Sequence, residues 1–543
     1  MKLRLQNILK LHFVEIVILI GALIFSSWLM FSSFSYSGSS MMIGSKAWSD
    51  FSSHIPLIRS FSIGDNLPPQ YPLFSGPAIK YHFLFYLLVG FLEKIGLRID
   101  LALNIPSIFG FTLLILMIYF FAKEIFKSKA VGVLSVILFL FNSTLSFVNY
   151  FAKNGLSLDS IYAVLTSTKF ASFGPYDNSI VSAFWNLNIY TNQRHVALSY
   201  ALSLLIIYLI LKFNEHTKHK NFEKTFLIAI VFGLSFLLNI AVFLMTALVL
   251  ACMLIFLKEK RIYIFLVLLI GGIIALPQYL FLSQVPSESA IAINPGYLVE
   301  NLNLVSFVNY WFYNLGFNIF LIPLGFFLTN KLNKKILISF VSLFIVANLI
   351  QFSPEIAANH KFFNFSIIVG GMFSAFALYI LWKKRNIFKP LVVVLFFFLT
   401  LSGIIDFFPI LNDSKITLSD YPKNKNISWI MENTSKNAVF LNNQYLYNYA
   451  SLAGRKIFLG WPYFAWSQGY NTQKRDDIRK KLLNTSDLEY FCKQSLNFHL
   501  NYVDINLNNE DAVVNKSFFD KNFKKVFENT KDGFIIYNIN SKC

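Results

Sequence analysis

Residues 48–72 read WSDFSSHIPLIRSFSIGDNLPPQYP and form the centre of a polar loop that runs from Ser35 to Ile79. This loop follows directly on the first long apolar run of the chain, His12–Phe34. The run is too long for the hydrophobic core of a signal peptide and has no small-residue cleavage site, so we interpret it as a membrane anchor. The polar loop after it is therefore expected just outside a bilayer.

Composition indicates a membrane protein throughout. Of 543 residues, 55% are hydrophobic, and the mean hydropathy is +0.55. Apolar runs of about 18 or more residues are typical of helices that cross the bilayer. The candidate spans are His12–Phe34, Asn104–Ala122, Ala130–Tyr150, Val196–Lys212, Thr225–Leu257 (two short helices that meet near Asn239), Ile262–Ser283, Leu304–Leu328, Ile336–Gln351, Phe362–Trp382 and Phe388–Phe408.

The net charge of +19 reflects topology rather than a nucleic-acid partner, because Lys and Arg lie mostly in short loops between apolar runs. The short apolar run Tyr81–Ile95 decides the orientation. If it lies along the surface as an interfacial helix, the basic clusters all face the cytoplasm. Those clusters are Lys2/Arg4/Lys10, Lys123/Lys127/Lys129, Lys212/Lys218/Lys220/Lys224, Lys258/Lys260/Arg261, Lys331/Lys334/Lys335 and Lys383/Lys384/Arg385/Lys389.

The predicted fold is mainly α: a plasma-membrane protein of about eleven spans with a cytoplasmic amino terminus. Residues 1–408 form its membrane domain, and residues 409–543 form an extracytoplasmic mixed α/β domain with shorter apolar runs. Three cysteines are too few for a disulfide framework, and pairing of Cys492 with Cys543 stays open. In the tail we predict strands at Val439–Leu441, Lys456–Leu459, Tyr502–Ile505, Lys525–Phe527 and Phe534–Tyr537, and helices at Arg475–Leu483 and Ser486–Ser495.

Asp50 and His54 are the first candidates for chemistry. They would share a helical face, but Pro56 disfavours a helix through both, so we expect a helix that begins near Ile55 with Asp50 on its approach. A carboxylate there can accept a proton from a hydroxyl or bind a metal, and His54 can contact a phosphate. The alternative is that Asp50 caps a turn and His54 is a solvated loop residue.

Two polar groups, Thr191–His195 and Asn359–Lys361, stand at the predicted outer ends of spans. Guanidinium, imidazole and ammonium groups at a helix start suit a phosphate. The alternative for the first group is anchoring to ordinary lipid phosphates. The second group has a basic residue where the positive-inside bias disfavours one, which suggests a role.

A third polar group lies in the tail, where Gly454–Trp461 precedes further aromatic and amide residues. Exposed aromatic rings beside amides stack on sugar rings, but they also fill interfaces between a domain and a membrane. Both interpretations stay open. The candidates for contact with a sugar or an acceptor are Trp461, Trp466, Gln468 and Arg475.

These motifs resemble the GT-C superfamily of integral-membrane glycosyltransferases, which includes protein mannosyltransferases, oligosaccharyltransferase catalytic subunits and aminoarabinose transferases. The layout of the whole chain is similar: one span, an acidic outer loop, an interfacial helix, many spans and an α/β tail. The matching residues are Trp48-Ser49-Asp50 with His54, Tyr71-Pro72-x-x-x-Gly76-Pro77, Tyr81-His82, Asn192-Gln193-Arg194-His195 and Asn359-His360-Lys361.

The resemblance implies inverting transfer of a sugar from a polyprenyl-phosphate donor to an envelope acceptor, with Asp50 as the base or as a ligand of a divalent metal. Many relatives carry a second acid next to or two residues after the first, whereas Phe51 and Ser52 stand here. Asp65, Asp159, Asp177 or Glu355 would have to supply a second carboxylate, so metal use stays open. The implied contacts to the donor phosphate are Arg59, Tyr81, His82, Gln193, Arg194, His195, His360 and Lys361.

Two other functions use the same lipid-linked sugars. A flippase or transporter would need a polar path, and the apolar runs offer little beyond Asn239 and Asn348. A polymerase or ligase of surface polysaccharide is the second alternative. The chain has no phosphate-binding Gly-rich motif, His-Glu-x-x-His or paired CxxC, which makes a nucleotide-fuelled pump or a zincin improbable.

Overall fold

The computed structural model describes residues 2–142, 144–172, 184–213, 218–284, 291–509 and 511–543. For residues 2–11 and 218–220 it describes the helical backbone and not the side chains. The candidate acid Asp177 therefore lies outside the described residues, as do the side chains of Lys2, Arg4, Lys10, Lys218 and Lys220.

The described part of the first 411 residues is mainly helical, as predicted. Their helices are α1 (Lys2–Ser33), α2 (Trp48–Ser62), α3 (Leu84–Lys94), α4 (Ile99–Phe126), α5 (Lys129–Leu140), α6 (Ser146–Asn154), α7 (Leu158–Thr166), α8 (Asn188–Asn192), α9 (Arg194–Leu211), α10 (Lys218–Leu238), α11 (Ile240–Phe256), α12 (Arg261–Leu282), α13 (Leu304–Leu315), α14 (Asn318–Leu328), α15 (Lys331–Ala347), α16 (His360–Lys384) and α17 (Lys389–Leu411).

Within the described residues, seven helical segments are long and apolar enough to cross a membrane, and a bent pair makes eight if it forms one span. The pair is α13 and α14, which meet at 83°. The protein is thus a polytopic helical membrane protein. The seven segments are His12–Ser33, Ile99–Phe126, Arg194–Leu211, Asn221–Leu238, Lys258–Leu282, Ile356–Lys384 and Asn386–Leu411.

The difference from eleven arises because three predicted spans form helices of only 12, 17 and 17 residues, namely α5, α11 and α15. Hydropathy identifies an apolar run in the sequence, but it does not show where within that run the helix ends. One break was predicted: the side chain of Asn239 caps α11 by accepting a hydrogen bond from the backbone N–H of Val242. The surface run forms α3, whose 11 residues span about 16 Å and cannot cross a core of about 30 Å.

The tail folds as a mixed α/β domain, and all five predicted strands and both predicted helices are confirmed. The elements are β5 (Lys415–Ser419), α18 (Lys425–Asn433), β6 (Val439–Asn442), α19 (Tyr449–Leu452), β7 (Lys456–Ile457), α20 (Pro462–Ser467), α21 (Thr472–Leu483), α22 (Leu488–Asn497), β8 (Tyr502–Asn506), α23 (Lys516–Asn522), β9 (Lys524–Asn529) and β10 (Phe534–Asn538). The five-stranded sheet of the tail has the order β7-β6-β8-β10-β9, with β6 parallel to β7 and β8 and the other pairs antiparallel.

The tail domain (β5 to β10) packs against the first polar loop. That loop begins with a hairpin of β1 (Phe34–Ser37) and β2 (Ser40–Gly44), and β5 adds to it as a third strand. A Cβ atom on Gly64 would clash with the carbonyl oxygen of Gly454, so the two backbones need glycine to approach this closely. A separate small ladder pairs β3 (Ala292–Ile293) with β4 (Ile350–Gln351).

The helix near Pro56 differs from the prediction. We expected it to begin near Ile55, but α2 runs from Trp48 to Ser62 with Pro56 inside it. Every residue from Phe51 to Phe61 is buried, so tertiary packing outweighs the cost of the missing hydrogen bond. Asp50 and His54 therefore lie on one helical face after all.

A disulfide between Cys492 and Cys543 ties α22 to the last residue of the chain. The pairing that stayed open from sequence is thus formed. Cross-links of this kind stabilise mainly by constraining the unfolded chain.

A buried acid on β8 makes the stability of the tail domain depend on pH. Asp504 is fully buried; its Oδ2 accepts a hydrogen bond from Asn448 at 2.8 Å, and its Oδ1 has no partner among the described residues. Burial raises the pKa of Asp504 to about 7. The folded state therefore favours the protonated acid, and its ionisation costs stability increasingly as the pH rises from about 4 to about 7.

We expect Asp504→Asn to raise the melting temperature relative to wild type at pH 8, and by clearly less at pH 5, because the amide cannot ionise. Each kcal/mol of difference corresponds to about 4 °C in a domain of this size. Thermal unfolding of the purified protein at both pH values measures this. Asp477→Asn, at an exposed position, is the control and should show no pH-dependent gain; an equal gain at both pH values for Asp504→Asn would contradict the assignment.

Candidate functional site: a polar chamber beneath the tail domain

Four elements of the membrane domain meet below the tail domain and enclose a group of polar side chains, which we name the polar chamber. The face of α2 that carries Asp50 and His54 is directed toward α3, α9 and the start of α16. The ring of His54 lies 4.9 Å from Tyr86 and 6.5 Å from His195, measured between centroids. The chamber consists of Asp50, His54, Tyr81, His82, Tyr86, His195, Lys361 and Tyr447.

Asp50 lies in the first turn of α2, where the free N–H groups of the helix stabilise a carboxylate. Protein surrounds it, yet its side chain keeps partial access to solvent. Burial raises the pKa of Asp50 to about 6, and the charge of Lys361 acts in the opposite direction. The carboxylate is therefore poised to exchange a proton near neutral pH.

Lys361 faces Asp50 from the first turn of α16 and is also partly accessible. The positive end of a helix is an unfavourable place for a cation. In the described part of the chain no ion pair joins Lys361 to Asp50 or to another acid, although the two charges interact electrostatically. A lysine held in this way is suited to an incoming anion.

The histidines of the chamber form a buried hydrogen-bonded pair. Nε2 of His82 lies 2.9 Å from Nε2 of His195, and Nδ1 of His195 lies 3.0 Å from the hydroxyl of Tyr86. Burial, with the charge of Lys361 and the proximity of His54, lowers the pKa of His82 well below its usual value. The pair is therefore neutral, and one imidazole donates to the other.

His54 is neutral as well. Burial lowers its pKa to about 3, with a further contribution from the charge of Arg194. Its Nδ1 atom is buried and has no hydrogen-bond partner among the described residues. Because His54 follows Asp50 by one turn on the same face, this nitrogen is available to a bound molecule beside the carboxylate.

Three arginines expected at a ligand are instead bound by protein. Arg194 is fully buried, and its Nε, Nη1 and Nη2 atoms donate to groups that include Thr191, Asn104 and Ser33. Arg59 pairs with Asp420. Arg475 donates to the backbone oxygens of Phe458 and Ser75 and lies over three aromatic rings. A buried charge needs hydrogen-bonding or charged partners. The partners of these three guanidinium groups come from different helices and loops, which the arginines thereby hold together.

The remaining predicted residues are spread around the chamber. Gln193 is the N-cap residue just before α9, and His360 is buried against the ring of Phe184. Trp461 and Trp466 are 41% and 36% exposed at α20, on the surface of the tail domain and not in the chamber. Gln468 lies closer to the polar chamber. Tyr71 interacts with Gln468 and also with Tyr81, which is a residue of the chamber.

Sequence inspection missed Tyr447, Tyr86 and Asp406. The hydroxyl of Tyr447 donates to the backbone oxygen of Trp48 at 2.5 Å, and the two rings are 4.0 Å apart. Asp406 is a buried acid within α17 and accepts a hydrogen bond from Asn186 at 3.2 Å. Asp406 could have been found from sequence, because a single acidic residue within an apolar run is unusual. No sequence pattern indicates Tyr447.

Among the described residues, no group of three His, Cys, Asp or Glu side chains is arranged to hold a metal ion. The three described candidates for a second carboxylate lie elsewhere: Asp65 beside Lys456, Asp159 in the first turn of α7, and Glu355 at the cap of the short helix Ile356–Asn359. Use of a divalent metal therefore stays open.

The solved structures to which this chain is similar include two from Archaeoglobus fulgidus. One is an oligosaccharyltransferase tethered by a disulfide to an acceptor peptide with the NVT sequon (TM-score 0.47, 12% identity, 97% of this chain and 74% of that chain covered). The other is the archaeal oligosaccharyltransferase AglB with an inhibitory peptide and a dolichol-phosphate (TM-score 0.46, 12% identity, 98% and 75% covered).

No family model matches this chain, and no curated protein matches it. Both solved structures are oligosaccharyltransferases, and at 12% identity the likeness concerns the fold of the chain and not its activity.

The buried pair of Arg59 and Asp420 predicts a structural role for Arg59. Asp420→Asn leaves Arg59 buried with Glu93 as its remaining acid and should destabilise the protein by about 3–5 kcal/mol. Thermal or denaturant unfolding measures the loss. Glu528→Gln breaks the exposed pair with Lys525 and is the control, with an expected loss below about 1 kcal/mol. If Asp420→Asn kept its stability and lost donor binding, Arg59 would be a ligand contact instead.

Proposed function

We propose that this protein is a membrane glycosyltransferase that moves a sugar from a polyprenyl-phosphate donor to an envelope acceptor. One observation carries the proposal: Asp50 and Lys361, of opposite charge and both partly accessible, interact electrostatically within the polar chamber without forming an ion pair in the described structure. A carboxylate that can act as a base and an ammonium group that can bind an anion therefore lie in one group of polar side chains.

The chemistry follows from these two groups. The carboxylate of Asp50 takes the proton of the acceptor hydroxyl while the hydroxyl oxygen bonds to the anomeric carbon. The bond from that carbon to the phosphate oxygen breaks, and its electrons go to the lipid phosphate. Lys361 stabilises the charge that develops there. Attack opposite to the leaving phosphate inverts the anomeric carbon.

Neutral groups of the chamber orient the substrates in this proposal. The unpartnered Nδ1 of His54 can bind a sugar hydroxyl or a phosphate oxygen. The pair of His82 and His195 fixes the hydroxyl of Tyr86 from behind. Trp461 and Trp466, exposed on the tail domain, offer rings on which an acceptor sugar can stack.

We infer that the chamber and the tail domain face the outside of the cell. The disulfide of Cys492 and Cys543 suits an oxidising compartment. At the other end of the bundle, Lys123 and Lys129 lie together and pair with Glu15, as expected for a cytoplasmic face. Donor and acceptor would then meet at the outer face of the plasma membrane.

The flippase alternative loses support because its polar path is occupied. Asn239 caps α11, and Asn348 accepts a hydrogen bond from the indole of Trp311 at 3.1 Å. Both amides thus serve the fold. A polymerase or ligase of surface polysaccharide uses the same chamber chemistry and differs only in the acceptor.

Asp50→Asn should lower the transfer rate by about 10²–10⁴-fold, because the amide cannot accept the proton. In the wild type the base acts when ionised, so the rate should rise tenfold per pH unit below its pKa of about 6 and level off above it. Reconstituted protein with radiolabelled polyprenyl-phosphate sugars and envelope extracts measures transfer. Asp477→Asn is the control with an unchanged rate. Wild-type turnover by Asp50→Asn would remove its catalytic role.

Lys361→Met should weaken binding of the donor by roughly 10–100-fold, because a charge-assisted contact to phosphate is lost, and should also slow transfer. Lys383→Met, at the exposed opposite end of α16, is the matched control. Equilibrium binding of a polyprenyl phosphate that lacks the sugar separates the two effects. Equal affinity of Lys361→Met and wild type would contradict the phosphate assignment.

A further inference from the structure

Helix α7 has three distinct faces, a feature that the proposed transfer reaction does not use. At 100° per residue, its buried residues Ser160 and Val164 lie on one side. Its polar residues Asp159 and Thr166 lie on a second side and are exposed. The third side carries large apolar residues that are exposed: Leu158 (84%), Ile161 (49%), Tyr162 (68%) and Leu165 (46%).

The inner face fixes where this helix lies. Val164 packs in one apolar cluster with Ile405 of α17, and the side chain of Asn412 donates to the backbone oxygen of Leu165 at 2.8 Å. Because α17 belongs to a segment that can cross the membrane and ends at Leu411, α7 lies at the tail-domain end of a span.

Large apolar residues are also exposed on α17, the candidate span against which α7 packs. Along α17, Phe397 is 52% exposed, Ile404 38% and Leu411 47%. A span presents such residues to the acyl chains. The apolar side of α7 lies at the point where the span leaves the bilayer, while Asp159 on the next side needs water.

We propose that α7 lies in the plane of the bilayer–water boundary, in the leaflet next to the tail domain, with its four apolar side chains among the lipids. The partner is the lipid bilayer itself. The arrangement of a buried, an apolar and a polar face is what a helix requires when it contacts protein, lipid and water at once.

This contact is connected to the polar chamber. Lys46, two residues before α2, donates to the backbone oxygen of Thr168 at 2.9 Å and pairs with Asp413 at 2.9 Å. The chain just after α7 is therefore joined to the chain just before Trp48, where α2 begins.

The depth of one residue in lipid tests the proposal. In a Cys252→Ala background, Tyr162→Cys is labelled with an environment-sensitive fluorophore and the full chain is reconstituted into phospholipid vesicles. We expect a blue-shifted emission relative to the label at Asp159→Cys, and roughly twofold stronger quenching by nitroxides on lipid chains than by aqueous iodide. Both substitutions are at exposed positions, so neither removes a packing contact.

Two results would overturn the proposal. Stronger quenching of the Tyr162 label by iodide would place this face in water, and protection from both quenchers would place it against protein. The measurement needs no sugar transfer, so it can fail while the proposed reaction stands, and it can succeed if the reaction is refuted.

Discussion

The buried ion pair between Arg59 of α2 and Asp420 joins the first polar loop to the tail domain, and the functional arrangement depends on it. The Arg59 side chain is 1% exposed and contacts the carboxylate at 2.5 Å, while Tyr36 donates to the same acid. The guanidinium also reaches the backbone oxygen of Leu452. Burying these charges is costly, and the carboxylate of Asp420, with the second acid Glu93 at 3.5 Å from Nε of Arg59, offsets much of that cost. Two parts of the chain about 360 residues apart are thereby held in one orientation.

This constraint places α2 between the membrane helices and the tail, which explains the chemistry of the chamber. Asp50 lies in the first turn of α2, and Arg59 anchors the last turn of the same helix. Burial raises the pKa of the Asp50 carboxyl and keeps His54 and His82 neutral. The chamber is therefore not a general basic surface. It combines one acid, one lysine and several uncharged groups that can form hydrogen bonds. In the proposed transfer the acid acts on the acceptor and the lysine acts on the leaving phosphate.

The sequence predicted which polar residues lie together better than it predicted their hydrogen-bond partners. Asp50, His54, His82, His195 and Lys361 were candidates from local motifs, and the structure brings them together. Arg194 and Arg475 carry the same kind of signal, since a guanidinium near a helix start suggests a phosphate. A single sequence cannot reveal that protein groups already occupy their N–H atoms, because those partners come from distant segments.

Which segments are apolar, where the tail begins to alternate in strand-like patterns and which loop carries the acid could all be predicted from sequence, because these properties depend on neighbouring residues alone. The fold shows in addition that α2 continues through Pro56, that α5, α11 and α15 stay short, and that Tyr447 reaches Trp48. Each depends on packing between residues far apart in the chain. Such contacts stabilise these conformations by more than the local conformational preferences of the residues disfavour them. Only the local preferences can be estimated from a single sequence.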